Sequence, residues 1–125
     1  MIEHKEQVAY KELLVWQKSM RLVNQVIRII DELETPRRHF RLIEQLESAV
    51  TSIPMNIAEG KGRNSKKEFV QFLFISRGSI YETLTLLDIF RQQNWLSEDE
   101  FNKLEDSAIE IIKMIKGLIN AISRT

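Results

Sequence analysis

Apolar residues recur every three or four positions along nearly the whole of this chain. That spacing belongs to the α-helix, and it leaves room for little else. Leu13, Trp16, Met20, Val23, Ile27 and Ile30 form one such series and predict a first helix over 12–34. A second series, Val15, Leu22, Val26, Ile29 and Leu33, lies beside it and widens the apolar face. Thr35-Pro36 should end this helix, because proline disfavours helical geometry in the residue before it and suits the first turn of the next. With four glycines and two prolines in 125 residues, few other breaks are available.

The second helix is expected from about Pro36 or His39 to Glu59, on the stripe Phe40, Ile43, Leu46, Val50, Ile53 and Ile57. Pro54 lies inside that stripe, removes one backbone donor and predicts a kink between Val50 and Pro54. Thr51 and Ser52 are candidates to serve the freed carbonyls. Gly60 is placed as a left-handed C-cap. After the turn Lys61-Gly62-Arg63-Asn64, the run Ser65 to Glu68 fits a capping box and opens a third helix over about 66–92.

The apolar residues of this third helix do not fit one stripe. Phe69, Phe72, Leu73, Ile80, Leu84 and Leu87 share a face, while Val70, Phe74, Tyr81 and positions 75, 86 and 89 point elsewhere. A helix apolar nearly all round is buried on more than one side, so Val70, Phe74 and Tyr81 are expected at a subunit interface. A second capping box, Ser97 to Glu100, opens a fourth helix to about Ile122. Its stripe is single: Phe101, Leu104, Ala108, Ile111, Ile112, Ile115, Leu118, Ile119 and Ile122. Short connections favour antiparallel neighbours. The expected fold is an all-α, up-down-up-down four-helix bundle, one domain over 12–125 preceded by a loosely attached segment 1–11.

The residue inventory speaks against catalysis. There is no cysteine, so disulfides, thiolate metal sites and thiol nucleophiles are excluded. The only two histidines, His4 and His39, are expected at the surface. No Glu-x-x-His pair, no His-Glu-x-x-His and no Gly-Lys-Ser/Thr phosphate loop occurs. Neither an enzymatic activity nor a cofactor or metal is expected. The first residues, MIEHKEQVAYKE, lack the apolar core of a signal peptide, and no apolar run reaches membrane-spanning length. A cytoplasmic protein without membrane contact is the expectation.

Charge is balanced in total and unbalanced in place. Eighteen basic and eighteen acidic side chains give a net of zero. From Arg37 to Arg77 there are eight basic and four acidic residues, a net of +4, whereas residues 98–110 hold six acids and one lysine, a net of −5. Lys61, Arg63, Lys66 and Lys67 place four positive charges in seven residues. Lys66 and Lys67 fall in the first turn of a helix, where the dipole disfavours cations, as do Arg37, Arg38 and Arg41 at the start of the second helix. Such placement suggests a compensating anion, either phosphate or a carboxylate of a neighbouring subunit. The two clusters sit at opposite ends of the second helix and cannot merge within one subunit. Asn56 and Glu59 share a face. They are read as structural, with Asn56 serving backbone groups freed by Pro54 and Glu59 pairing with Arg63 or Arg77; a ligand role is the alternative.

Several of these residues also carry a resemblance. Leu14-Val15-Trp16-Gln17-Lys18 looks like the Leu-x-Val-Trp opening of a known family. The run Ser52, Ile53, Pro54, Asn56, Ile57, Ala58, Glu59, Gly60, Gly62, Arg63 closely resembles its central signature. Ser65 to Phe69, then Phe72-Leu73, Ile75, Gly78-Ser79 and Glu82, is similar to its next helix, and Leu96-Ser97 to its last turn. The family is that of four-helix-bundle proteins encoded in 23S rRNA intervening sequences, S23 ribosomal protein-like and similar to the accessory variability determinant of diversity-generating retroelements. The resemblance implies a bacterial cytoplasmic protein that assembles as a ring-shaped homopentamer. The retroelement branch is strongly basic and binds nucleic acid, whereas this chain is neutral. Two functions follow. One is an oligomer that binds RNA or DNA through Lys61, Arg63, Lys66 and Lys67. The other is a homo-oligomeric scaffold or protein-interaction module with no nucleic-acid role.

Overall fold

The computed structural model describes residues 9–33 and 39–124. A 3-10 turn, Ala9–Glu12, leads into four α-helices: α1 Leu14–Glu32, α2 Phe40–Lys61, α3 Lys66–Gln92 and α4 Glu98–Ser123. No strand occurs among the described residues. Helices α1 and α3 each pack on both α2 and α4, so four helices enclose one core. The break expected at Thr35-Pro36, the arginines Arg37 and Arg38, His4 and residues 1–8 of the N-terminal segment lie outside the described residues. Among the described residues, no helix is long and apolar enough to cross a membrane.

The start of α1 has no side-chain cap. The 3-10 turn is tied to it by other bonds: the Leu13 amide donates to the Tyr10 carbonyl at 3.1 Å, and Gln17 Nε2 donates to the Lys11 carbonyl at 2.8 Å. The Tyr10 ring stands edge-on to Trp16 with centroids 5.3 Å apart. Core contact along α1 comes from Val15, Ser19, Leu22, Val23 and Val26. Both series thus contribute: Val15, Leu22 and Val26 of the second and Val23 of the first are buried, while Ile27 of the first is exposed. Ser19 fills the gap in the inward series. Its hydroxyl donates to the Val15 carbonyl at 2.7 Å, which removes the cost of burying it.

The same device shapes the seam between α2 and α3. Ser76, Ser79 and Thr83 of α3 are buried. Ser76 Oγ donates to the Ile53 carbonyl at 2.9 Å, and Ser52 Oγ and Ser79 Oγ share a hydrogen bond of 2.8 Å. At the far end of the seam, Gly60 lies against Phe69 and Phe72. Residue numbers thus fall along α3 as they rise along α2, so these two helices run in opposite directions. Among the described residues no buried side-chain nitrogen or oxygen lacks a partner.

Two local expectations need correction here. Gly60 is not a left-handed cap: α2 continues to Lys61, its C-cap Gly62 has φ −78°, and no glycine has a positive φ. Gly60 is required instead for lack of space, since a Cβ there would stand 2.7 Å from Phe72 Cβ and 3.0 Å from Phe69 Cδ1. The hydroxyls near Pro54 also have other partners. Thr51 donates to the Glu47 and Ser48 carbonyls, and Ser52 turns to α3, so neither serves the Val50 carbonyl that Pro54 leaves without a donor.

The left-handed cap occurs at the end of α3, on Asn94 with φ 63°. The Asn94 amide donates to the Arg91 carbonyl and the Trp95 amide to the Phe90 carbonyl, both at 3.0 Å, which is the Schellman pattern. Its apolar contact is Trp95 against Phe90, ring centroids 5.2 Å apart. The other side of Trp95 meets His39 at 4.6 Å, so His39 is half-buried rather than a free surface residue.

The seam yields a paired prediction. Gly60→Ala should destabilise by about 1–3 kcal/mol through overpacking, despite the better helix propensity of alanine. Gly117→Ala, where an added Cβ meets nothing within 4 Å, should stabilise by about 0.5–1 kcal/mol. Urea unfolding followed by circular dichroism measures both, and equal signs would refute the close approach.

Candidate functional site

All four basic residues singled out in the sequence stand exposed around the turn between α2 and α3, and Arg63 among them is paired with two carboxylates. Ser65 begins α3 by accepting the Glu68 amide at 3.0 Å and donating to Glu68 Oε1 at 3.3 Å. Arg63 reaches back to Glu59 at 2.6 Å, approaches Glu68 at 3.8 Å and lies over the Phe72 ring at 5.0 Å. Lys61 lies over Phe69 at 5.8 Å. Within 59–68 the four cations thus meet two carboxylates, and both point at Arg63. Arg41, at the other end of α2, is about 30 Å away along the helix axis.

The motif Ile53 to Gly62 divides by helical face. Ile53, Pro54, Ile57 and Gly60 are buried, and Ala58 is half-buried. The Ala58 carbonyl accepts the amide of Gly62 at 3.1 Å. Asn56 and Glu59 line an open groove of about 610 Å³ together with Ser52, Met55, Arg63 and Phe72. Glu59 pairs with Arg63, not with Arg77, which lies over Phe74 at 4.9 Å. The Asn56 amide donates to both the carbonyl and the hydroxyl of Ser52 at 2.8 Å, so it does not serve the backbone group freed by Pro54. Asn56, Ser52 and Ser79 form one polar chain across the seam. The sequence carried a signal for it: Ala49, Ser52, Asn56 and Gly60 step by three and four, as do Ser76, Ser79 and Thr83.

Val70, Phe74 and Tyr81 lie along one side of α3. Val70 is half-buried, Phe74 is 45% exposed and Tyr81 is 53% exposed. Ile75 at 52%, which the sequence placed off the main face, and Met55 at 66%, which it did not single out, extend the exposed apolar surface. Beside Phe74, a second groove of about 440 Å³ opens between the start of α3 and the end of α4, with Lys66 and Lys67 at its rim. No three His, Asp or Glu side chains converge as metal ligands among the described residues.

Comparison with known proteins adds a family and a fold. The family model for 23S rRNA-intervening sequence proteins matches residues 11–117. A solved protein of unknown function from the S23 ribosomal protein family of Bacteroides thetaiotaomicron VPI-5482 has the same fold, with a TM-score of 0.78 at 22% identity. That likeness covers 85% of this chain and 98% of the other. No curated protein matches.

The electrostatics of the turn separate two substitutions. Ser65→Ala removes the N-cap of α3 and should cost about 1 kcal/mol. Glu59→Gln breaks an exposed pair and should change stability by no more than about 0.5 kcal/mol, because solvent screens it. Urea midpoints of the two variants test that order.

Proposed function

We propose that this chain, which belongs to the 23S rRNA-intervening sequence protein family, is a non-enzymatic homo-oligomeric scaffold whose subunits meet through the outward face of α3. The observation that carries the reading is the apolar strip of Val70, Phe74 and Tyr81, with Ile75 and Met55 beside it. Burying one such side chain is worth about 1.5–3 kcal/mol, and a contiguous set of them marks an interaction surface. A ring-shaped homopentamer in the bacterial cytoplasm, built from up-down-up-down bundles, is the assembly the sequence resemblance favours. The opposed run of α2 and α3 and the short turns at 62–65 and 93–97 support that helix order.

A second reading is RNA or DNA bound at the basic turn. Its support is the exposure of Lys61, Lys66 and Lys67. Against it stands Arg63, whose charge already has Glu59 and Glu68 as partners, so each subunit offers less positive charge than its sequence suggests. The scaffold reading is preferred on that ground.

Sedimentation velocity tests the preference. The unmodified protein should sediment as an oligomer, and Phe74→Glu with Tyr81→Glu should leave a monomer of unchanged helical content. A protein that is monomeric at every concentration tested overturns the reading. Tight RNA binding with a log–log salt slope of several units, weakened by Lys66→Glu, would favour the nucleic-acid reading instead.

A further inference from the structure

We infer that the groove between α1 and α4 is a binding site for a small monocarboxylate, gripped by Arg21 and completed by Gln25 and Ser107. Neither α2 nor α3 lines this groove. The inference therefore stands apart from both the α3 face and the basic turn.

The groove has a volume of about 210 Å³. Lys18, Arg21 and Gln25 of α1 line one wall, and Ser107, Glu110 and Ile111 of α4 line the other. Arg21 and Gln25 follow Lys18 by three and seven residues, so the three share a face of α1. Ser107 precedes Glu110 and Ile111 by three and four residues, which aligns these on α4 in the same way. Ile111 is 1% exposed and gives the groove an apolar floor. Lys18, Arg21, Gln25 and Ser107 all carry hydrogen-bond donors.

Most of those donors are unused. Lys18 pairs with Glu110 across the groove. Arg21, Gln25 and Ser107 make no side-chain hydrogen bond or ion pair among the described residues. Ser107 differs in this from Ser19, Thr51, Thr83 and Thr85, each of which donates to a carbonyl one turn back. It is half-buried, yet no buried side-chain oxygen among the described residues lacks a partner. Its hydroxyl is therefore open to the groove, on the wall opposite Arg21 and Gln25.

The charge count selects the ligand. Glu110 balances Lys18, and Arg21 leaves the groove with one positive charge. A monoanion matches that charge. A dianion such as inorganic phosphate brings its second charge beside Glu110. The guanidinium fork meets a carboxylate through two parallel N–H···O bonds. The Gln25 amide and the Ser107 hydroxyl then donate to the remaining lone pairs, and a short apolar tail rests on Ile111. The space falls below the roughly 300–1,000 Å³ of sites for drug-sized ligands, so the acid is a small one.

Amide chemical shifts of the unmodified chain, followed as sodium propionate is added at constant ionic strength, test this. The shifts should saturate and be confined to α1 around Lys18 to Gln25 and to α4 around Ser107 to Ile111. Arg21→Lys should weaken binding about tenfold, because lysine lacks the fork. Arg28→Lys, two turns further along α1, should change nothing. Both arginines are exposed, so neither change threatens the fold. Inorganic phosphate in slightly alkaline buffer should bind about tenfold more weakly than propionate, and Glu110→Gln should narrow that gap by removing the repelling charge. Propionate shifts that stay linear, or that respond equally to Arg21→Lys and Arg28→Lys, overturn the site. Phosphate that binds the unmodified protein as tightly as propionate overturns the carboxylate assignment.

Discussion

The close approach of α2 and α3 is the constraint on which the rest of the structure depends. Gly60 has no room for a methyl group, and Ser52, Ser76 and Ser79 keep the two backbones near enough for a hydroxyl to reach a carbonyl on the other helix. Once these helices lie this close, their side chains are forced outward along the flanks of the seam. Met55 and Ile75 are exposed on one side. Leu73, Ile80 and Leu87 are buried in the core on the other. Small residues at Ser52, Gly60, Ser76 and Ser79 are what let the two helices approach this closely.

That cause explains what could and could not be read in advance. Helix number and type follow from apolar spacing, and α4 obeyed it closely because its inward positions are all apolar. In α1 and α3 some inward positions are serine or threonine, so the apolar pattern alone left Ser19, Ser76, Ser79 and Thr83 out of the buried faces. Hydroxyls that donate to their own helix backbone, such as Ser19 and Thr83, pack like small apolar groups. A hydropathy pattern does not see this. Capping boxes at Ser65 and Ser97 were legible because they are local. Gly60 was misjudged because its reason lies on another helix. The left-handed cap fell on Asn94, the residue type that most readily replaces glycine there.

The candidate site was legible in composition and less so in arrangement. The basic run 61–67 lies where expected, but the meaning of Arg63 depended on Glu59, one turn back, and Glu68, one turn ahead. Spacing foretold the first contact. The second exists only because the turn folds α3 back beside α2. Val70, Phe74 and Tyr81 were found by counting apolar residues that one stripe could not hold; Phe74 and Tyr81 are exposed and Val70 is half-buried.

The two ends of the α2–α3 pair are closed by different chemistry. At one end Glu59, Arg63 and Glu68 close the turn through half-exposed charges. At the other, Trp95 lies between His39 and Phe90 behind the Asn94 cap. Debye screening acts on the first and hardly touches the second. Raising the ionic strength therefore weakens the Glu59–Arg63–Glu68 contacts at the α2–α3 turn and leaves the packing of His39, Trp95 and Phe90 largely as it is.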